Sequence, residues 1–220
     1  MIIDIISDTI CPWCFIGKRR LERALTLAPQ PAVQIVWHPF QLNPDMPPEG
    51  MERGEYLRLK FGGERGSAVY DALRAAGADE GIAFNFAGIK RTPNTLESHR
   101  MVRYAGHHAL QHQAVEGLFQ AYFVDGRDIG DRLTLLDIGA AAGLERGLLA
   151  DYMESEEGAA EVGAEDRVAR RMGIEGVPCF IFEHKYVVSG AQSPEFFLRI
   201  FDLVNQKPGQ DRAEPREAAN

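Results

Sequence analysis

Residues 2–18 read IIDIISDTICPWCFIGK, and this stretch decides the fold predicted for the chain. Its first part, Ile2 to Ile6, is short and rich in β-branched residues, as is typical of a buried strand. Cys11 and Cys14 follow, separated by two residues, where the helical spacing of apolar residues begins. A helix N-terminus carries unpaired N–H groups and partial positive charge, which stabilise a thiolate. The pair is therefore placed for thiol–disulfide chemistry.

A zinc site is the main alternative interpretation of a Cys-x-x-Cys pair. Structural zinc usually takes four Cys or His ligands, and the sequence holds one further cysteine, Cys179. A Cys3His site assembled in space stays open. His107-His108 and His112 resemble a metal pair on a helix, but no carboxylate motif accompanies them. A purely structural disulfide is less favoured because the loop it closes is small. We therefore predict redox chemistry and no bound metal.

The length and composition indicate a globular chain, either one large domain or one domain with a sizeable insertion. Of the 220 residues, 45% are hydrophobic and 25% charged, so the core needs no disulfide scaffold. Three cysteines are too few for a secreted, disulfide-rich protein. The net charge of −8 argues against nucleic-acid binding. No basic leader is seen, and no apolar run approaches about 18 residues. We expect a cytoplasmic protein with no membrane or nucleic-acid partner.

The order of predicted elements indicates an α/β fold that is split by a helical insertion. Residues 1–42 are predicted to form a strand, a helix and a strand, and residues 173–205 two strands and a helix. Together they would form one discontinuous domain. Residues 206–220 hold few apolar side chains and are predicted to be a disordered tail. The insertion, 43–172, is predicted to hold helices at 55–61, 68–76, 95–108, 111–123, 133–142, 145–153 and 157–172, with a short extended piece at 82–86.

These residues resemble the thioredoxin superfamily, and specifically DsbA-like oxidoreductases of the FrnE-like branch. That branch also includes 2-hydroxychromene-2-carboxylate isomerases and kappa-class glutathione transferases. The resemblance spans roughly residues 1–205 and implies a thioredoxin-like fold with a large all-helical insertion. Its specific part is the run Cys-Pro-Trp-Cys-Phe-Ile-Gly-Lys at 11–18. The weaker matches are Ser7-Asp8, Phe40-Gln41-Leu42-Asn43-Pro44, Asn94-Thr95, His99-Arg100 and Gly176-Val177-Pro178.

The resemblance also implies roles for individual residues. Cys11 would be the exposed nucleophile, and Cys14, more buried, would resolve the mixed disulfide. Pro178 would be cis and lie against the pair, which leaves the backbone of Val177 free to pair with an extended substrate. The expected catalytic residues are Cys11, Cys14 and Pro178, and the expected substrate-binding residues are Pro12, Trp13 and Val177.

Two features depart from the superfamily pattern. The superfamily carries a buried acid six residues before the first cysteine, and this chain has Ile5 there. The proton acceptor for Cys14 is therefore open, and Asp8 is the better candidate for a nearby acid. Cys179, after the expected cis proline, is either a buried small side chain or a third thiol able to form another disulfide. His99, in the insertion, either packs or takes part in catalysis.

A basic cluster follows the cysteine pair on the predicted first helix. It consists of Lys18, Arg19, Arg20 and Arg23. One interpretation is a solvated helix face. The other is a local positive field that favours a thiolate or an anionic substrate such as glutathione.

We expect a protein-disulfide oxidoreductase that acts on protein or small-molecule disulfides through a mixed disulfide. The first alternative is a glutathione-dependent isomerase or transferase of the 2-hydroxychromene-2-carboxylate isomerase type, although such relatives usually carry Ser at the Cys11 position. The second is a non-catalytic binding or chaperone module. No cofactor is expected, with glutathione open as a co-substrate. The partner is a disulfide- or thiol-bearing substrate, a homodimer stays open, and the redox direction is not determined.

Overall fold

A computed structural model of the chain describes residues 1–62 and 65–206. A disordered tail was predicted at residues 206–220, and all of it from residue 207 onward lies outside the described residues. The elements, in chain order, are β1 (Ile2–Ser7), α1 (Pro12–Leu27), β2 (Gln34–Pro39), β3 (Met51–Glu52), α2 (Arg53–Phe61), α3 (Arg65–Ala78), β4 (Arg91–Thr92), α4 (Leu96–Gly106), α5 (Gln111–Phe123), α6 (Arg132–Ala141), α7 (Arg146–Glu154), α8 (Ala159–Arg171), β5 (Cys179–Phe182), β6 (Tyr186–Ser189) and α9 (Pro194–Asn205).

Four strands form one mixed sheet in the order β2-β1-β5-β6. β1 runs parallel to β2 and antiparallel to β5, and β5 and β6 form an antiparallel hairpin. Ile5 pairs with Trp37 on one side and with Phe180 on the other. A central strand is covered on both faces, which explains why β1 is a nearly continuous apolar run. The predicted α/β arrangement, in which a largely helical insertion separates the two parts of the sheet along the chain, is therefore observed.

The two faces of the sheet bury different side chains, because successive residues of a strand point to opposite sides. One face packs on α1 and α9, and its strand residues are Ile3, Ile5, Phe180 and Phe182. The other face packs against α8, and its buried residues are Ile6, Phe40, Ala169, Ile174, Cys179 and Ile181. The cysteine pair and Cys179 consequently belong to different parts of the core.

The helical insertion continues the core of the α/β part. The ring of Phe15, on α1, stacks on that of Phe119, on α5, with centroids 5.1 Å apart. Residues 82–86 were predicted to be extended, but they form no strand in the described part of the chain. Instead the Asn85 N–H donates to the Phe123 carbonyl at 2.8 Å. The division into 1–42 with 173–205 and 43–172 stays a prediction.

Capping residues set the ends of two helices as their sequence suggests. Ser193 caps α9, accepting from the Phe196 N–H, and Pro194 occupies the first turn. At α4, the Asn94 side chain accepts from the Leu96 N–H at 2.9 Å, whereas Thr95 makes no side-chain cap bond. Among the helices of residues 1–62 and 65–206, none is long and apolar enough to cross a membrane.

Candidate active site

The cysteine pair lies at the first turn of α1. Cys11 is the N-cap residue, and its carbonyl accepts from the Cys14 N–H at 3.0 Å. Pro12 occupies the first helical position, where its missing N–H costs nothing. Both cysteines are free thiols. The strand–turn–helix placement predicted for the pair is therefore observed.

Cys11 is not exposed, contrary to expectation. It is 4% exposed, against 1% for Cys14, so the two thiols hardly differ in burial. The reason is a distant segment that covers it: the Cys11 thiol donates to the Val177 carbonyl at 3.5 Å. The segment that carries Val177 therefore covers the Cys11 thiol.

The peptide bond between Val177 and Pro178 is cis, as predicted. Pro178 is buried, and its ring lies against α1 at Gly17. A Cβ on Gly17 would lie 3.0 Å from Pro178 Cγ. The glycine therefore allows the proline loop to approach the helix that carries the cysteine pair.

The accessible side of the site is apolar. Trp13 is 39% exposed, while Pro12 and Val177 are half-buried. All three were expected to form the substrate-binding surface. Pro12 and Trp13 follow Cys11 in the first turn of α1, and the Val177 carbonyl accepts from the Cys11 thiol. An apolar rim of this kind suits a peptide segment or an apolar small molecule.

Cys14 lies in a fully buried environment that disfavours its thiolate. Burial, reinforced by the neighbouring Cys11 thiol, raises the pKa of Cys14 well above its usual value. The Ser7 hydroxyl and the backbone N–H of Asp8 oppose this by favouring the thiolate. Ser7 was not predicted from the sequence as a contact of Cys14, and the one signal for it was the Ser7-Asp8 match.

Asp8 and His99, both candidate accessory residues, are brought together. Asp8 is fully buried, and its Oδ2 accepts from the Leu42 N–H at 2.7 Å. Its Oδ1 lies 3.3 Å from Nε2 of His99, which is 5% exposed. Asp8 follows Ser7 in the chain, and its backbone N–H, rather than its carboxylate, is the group that acts on the Cys14 thiol. At the position of the usual superfamily acid, Ile5 is buried in the apolar core.

Cys179 lies on the sheet face opposite α1. It packs with Ile6 and Phe40, whereas Cys11 and Cys14 belong to the core on the other side. Burial raises the pKa of Cys179, with the Ser189 side chain opposing. This placement favours the buried small side chain over a third redox thiol.

The basic cluster of α1 is neutralised within the chain. Lys18 is 2% exposed, with its Nζ 2.6 Å from carboxylate oxygens of both Glu22 and Glu116. Arg19 contacts the same two carboxylates. Arg20 and Arg23 pair with Glu80. Burial alone would raise the pKa of Glu22, but hydrogen bonds from His112 and Lys18 lower it to about 2. Lys18 is therefore not on a solvated face, and the four cations are offset by these carboxylates.

A cavity of about 590 Å³ lies along the edge strand β2, between it and α4, α5 and α8. Its lining includes Ser7, Thr9 and His99 near the cysteine pair and extends to the exposed His107. Neither cysteine of the pair lines it. Sequence reasoning missed this cavity because its walls come from segments far apart in the chain. Within the described residues, no cluster of three or more His, Cys, Asp or Glu could hold a metal ion.

Comparison with protein families matches residues 2–202 to a DSBA-like thioredoxin domain. A probable DsbA oxidoreductase from Streptomyces coelicolor superposes with a TM-score of 0.85 at 29% identity, covering 94% of this chain and 92% of that one. The cytosolic disulfide reductase DsbM from Pseudomonas aeruginosa, solved with GSH, gives 0.68 at 21% identity, covering 92% and 98%. A 2-hydroxychromene-2-carboxylate isomerase gives 0.68 at 15%, covering 92% and 94%. The last two similarities show the shared fold alone.

Proposed function

The chain belongs to the DsbA-like thioredoxin-domain family, and on that premise we propose that it is a thiol–disulfide oxidoreductase working through Cys11 and Cys14. One observation carries the proposal. Cys11 is the N-cap residue of α1, and its thiol donates to the carbonyl of Val177, the residue before Pro178, at 3.5 Å. A thiolate formed at Cys11 would be stabilised by the N–H groups of the first helical turn.

The reaction proceeds by two exchange steps at sulfur. The Cys11 thiolate attacks one sulfur of a substrate disulfide, which breaks the S–S bond, forms a mixed disulfide and releases the other sulfur as a thiolate. The Cys14 thiolate then attacks the Cys11 sulfur and releases the second substrate thiolate. Each released thiolate takes up a proton. The substrate gains two electrons and the pair is oxidised to a disulfide. Two molecules of a thiol such as glutathione reduce the pair again and leave as their own disulfide.

The substrate in this proposal is a disulfide carried by a peptide segment or by a small molecule. The exposed indole of Trp13 offers an apolar surface beside the pair, and the backbone of Val177, which already accepts from Cys11, is placed to bond with an extended substrate chain. A reductive role in the cytoplasm, with glutathione as co-substrate, has its parallel in the cytosolic disulfide reductase that was solved with GSH. It remains part of the proposal.

Reduction of insulin by dithiothreitol tests the proposal. We expect the wild type to accelerate the reaction and Cys11→Ser to abolish the acceleration. Cys179→Ala is the matched control, because it removes a buried thiol on the other face of the sheet, and it should keep the activity. Equal rates for wild type and Cys11→Ser would contradict the proposal.

A second measurement separates the isomerase alternative. In Cys14→Ser the mixed disulfide cannot be resolved, so mass spectrometry should find a substrate adduct on Cys11. If this variant instead retains glutathione-dependent isomerisation of a hydroxychromene carboxylate, the pair is not required and the isomerase function is favoured.

A further inference from the structure

Cys14 must lose a proton before it can resolve a mixed disulfide, and its surroundings make that loss difficult. It is 1% exposed and lies among apolar side chains. Ile5, at the position where the superfamily keeps a buried acid, offers no base. The proton therefore needs another route out of the core.

The Asp8–His99 pair has the geometry of an oriented base. A carboxylate only accepts hydrogen bonds, so the hydrogen between Asp8 Oδ1 and His99 lies on Nε2. With that hydrogen on Nε2, the lone pair that can take a proton belongs to Nδ1. The carboxylate, fixed by the Leu42 N–H, stabilises the imidazolium that results.

The cavity beside β2 places this base and Ser7 on the walls of one space. Ser7 and His99 both line the cavity, and the Ser7 side chain is hydrogen-bonded to Cys14, which does not itself reach the cavity. At about 590 Å³ the cavity has room for several water molecules, each of which takes ~30 Å³. Its lining also includes His107, an exposed residue, so the cavity extends from His99 to the surface.

We propose that Ser7 and His99 carry the proton of Cys14 away while the mixed disulfide is resolved. Asp8 is the positioning residue, which orients the imidazole and stabilises its protonated form. The proposal rests on the oxidoreductase function argued above. The Ser7 hydroxyl accepts the Cys14 proton and passes its own to a water molecule in the cavity, which passes one to His99 Nδ1. The Cys14 thiolate then attacks Cys11, and the S–S bond to the substrate breaks. His99 later returns its proton to solvent, so protons and electrons balance.

Charged side chains of α8 lie near both members of the pair. The guanidinium of Arg170 interacts with the Asp8 carboxylate, and the Glu165 carboxylate interacts with His99. Asp166 and Arg103 face the same region and are engaged with Arg170 and Glu165 respectively.

Single-turnover reduction of dithiobis(nitrobenzoate) separates the two exchange steps, because each releases one nitrothiobenzoate. The reaction is run in a Cys179→Ala background from about pH 6 to about pH 9. We expect Ser7→Ala and His99→Gln to slow the second, first-order release on the order of ten- to a hundredfold near neutral pH. That release should also need a higher pH, while the first, concentration-dependent release stays within about twofold.

Two further variants separate a relay from a structural effect. Ser98→Ala is the matched control, since Ser98 is equally buried and bonds to Thr9 but does not contact Cys14. It should leave both releases unchanged. Ser7→Thr, which keeps the hydroxyl, should restore the second release.

The outcomes are distinct for the inference and for the proposed function. An unchanged second release and pH profile in both Ser7→Ala and His99→Gln would overturn the relay, as would equal slowing of both releases. If Ser7→Ala does not fold, His99→Gln decides alone. No release at all from the wild-type pair would instead remove the oxidoreductase function.

Discussion

Gly17 and Pro178 lie in contact across the active site: a Cβ on Gly17 would sit 3.0 Å from Pro178 Cγ and 3.1 Å from Phe180 Cζ. The first residue is on the helix that begins with the cysteine pair, and the second follows the carbonyl that accepts from Cys11. Gly17 therefore sets how closely the proline loop approaches the pair. This close approach depends on the absence of a side chain at Gly17. The helix itself would accept alanine readily.

We predict that Gly17→Ala displaces the proline loop by a few tenths of an ångström and slows attack by Cys11 several-fold. Alanine gains about 1 kcal/mol in helix propensity, but overpacking costs about 1–3 kcal/mol, so the free energy of unfolding should fall or stay level. Insulin reduction and urea denaturation measure the two effects.

Gly163→Ala is the control for this substitution. Gly163 is also in a helix, but a Cβ there would have Arg167 Nη1, the end of a flexible side chain, as its nearest neighbour. We expect the free energy of unfolding to rise by about 0.5–1 kcal/mol and the rate of insulin reduction to stay unchanged. If both variants behave alike, the contact with Pro178 does not matter.

Local features of the fold were predictable from the sequence, and long-range ones were not. α5 was predicted at 111–123 and occupies Gln111–Phe123, because its apolar residues recur at helical spacing. The turn from strand to helix around Cys11 was likewise encoded locally. The burial of Cys11 was not, because Val177, which covers it, lies 166 residues away.

The Asp8–His99 pair shows the same limit within the site. Both residues were candidates individually, but 91 residues separate them and only the packing of α4 against the sheet brings them together. The prediction of an extended piece at residues 82–86 did not give a strand, for a related reason. Its alternating aromatic residues look strand-like, yet Phe84 and Phe86 stack on each other and pack edge-on against Phe123 of α5.

We predict that Arg100→Lys lowers the free energy of unfolding by about 2–4 kcal/mol, measured by urea denaturation. Arg100 is 3% exposed and pairs with Glu97. It also donates to the carbonyls of Tyr152, Ser155 and Glu157, around the end of α7. A lysine ammonium cannot reproduce this planar set of donors, so buried carbonyls would lose their partners.

Arg103→Lys is the control on the same helix. Its side chain is 33% exposed and pairs with Glu165, so lysine can keep the ion pair. We expect the free energy of unfolding to change by less than about 1 kcal/mol. A loss equal to that of Arg100→Lys would mean that the carbonyl contacts contribute little.

We predict that Cys179→Ala leaves thiol–disulfide exchange unchanged while lowering the free energy of unfolding by about 1 kcal/mol, because it opens a small gap between Ile6 and Phe40. Mass spectrometry of oxidised wild type should find the Cys11–Cys14 disulfide at every oxidant level. A disulfide that includes Cys179 would show that its position opposite α1 is not maintained.

His38, on β2, links the sheet to the helical insertion through two carboxylates. Its Nε2 lies 2.9 Å from Asp4 Oδ1, and its Nδ1 lies 3.5 Å from Glu165 Oε2. His184 also contacts Asp4, and Arg103 contacts Glu165. Burial alone would lower the pKa of His38, but the two carboxylates raise it above its usual value. A raised pKa in the folded state means that folding takes up a proton.

The His38 contribution should therefore be full below about pH 6.5, the usual value in the unfolded chain, and should be lost as pH rises through the folded pKa. We expect the difference in unfolding free energy between wild type and His38→Gln to be largest near about pH 5 and to shrink toward about pH 9. His107→Gln, at an exposed histidine, is the control and should show a small, flat difference. A His38 difference that grows with pH would mean that the imidazole is held neutral, because that sign requires burial to outweigh Asp4 and Glu165.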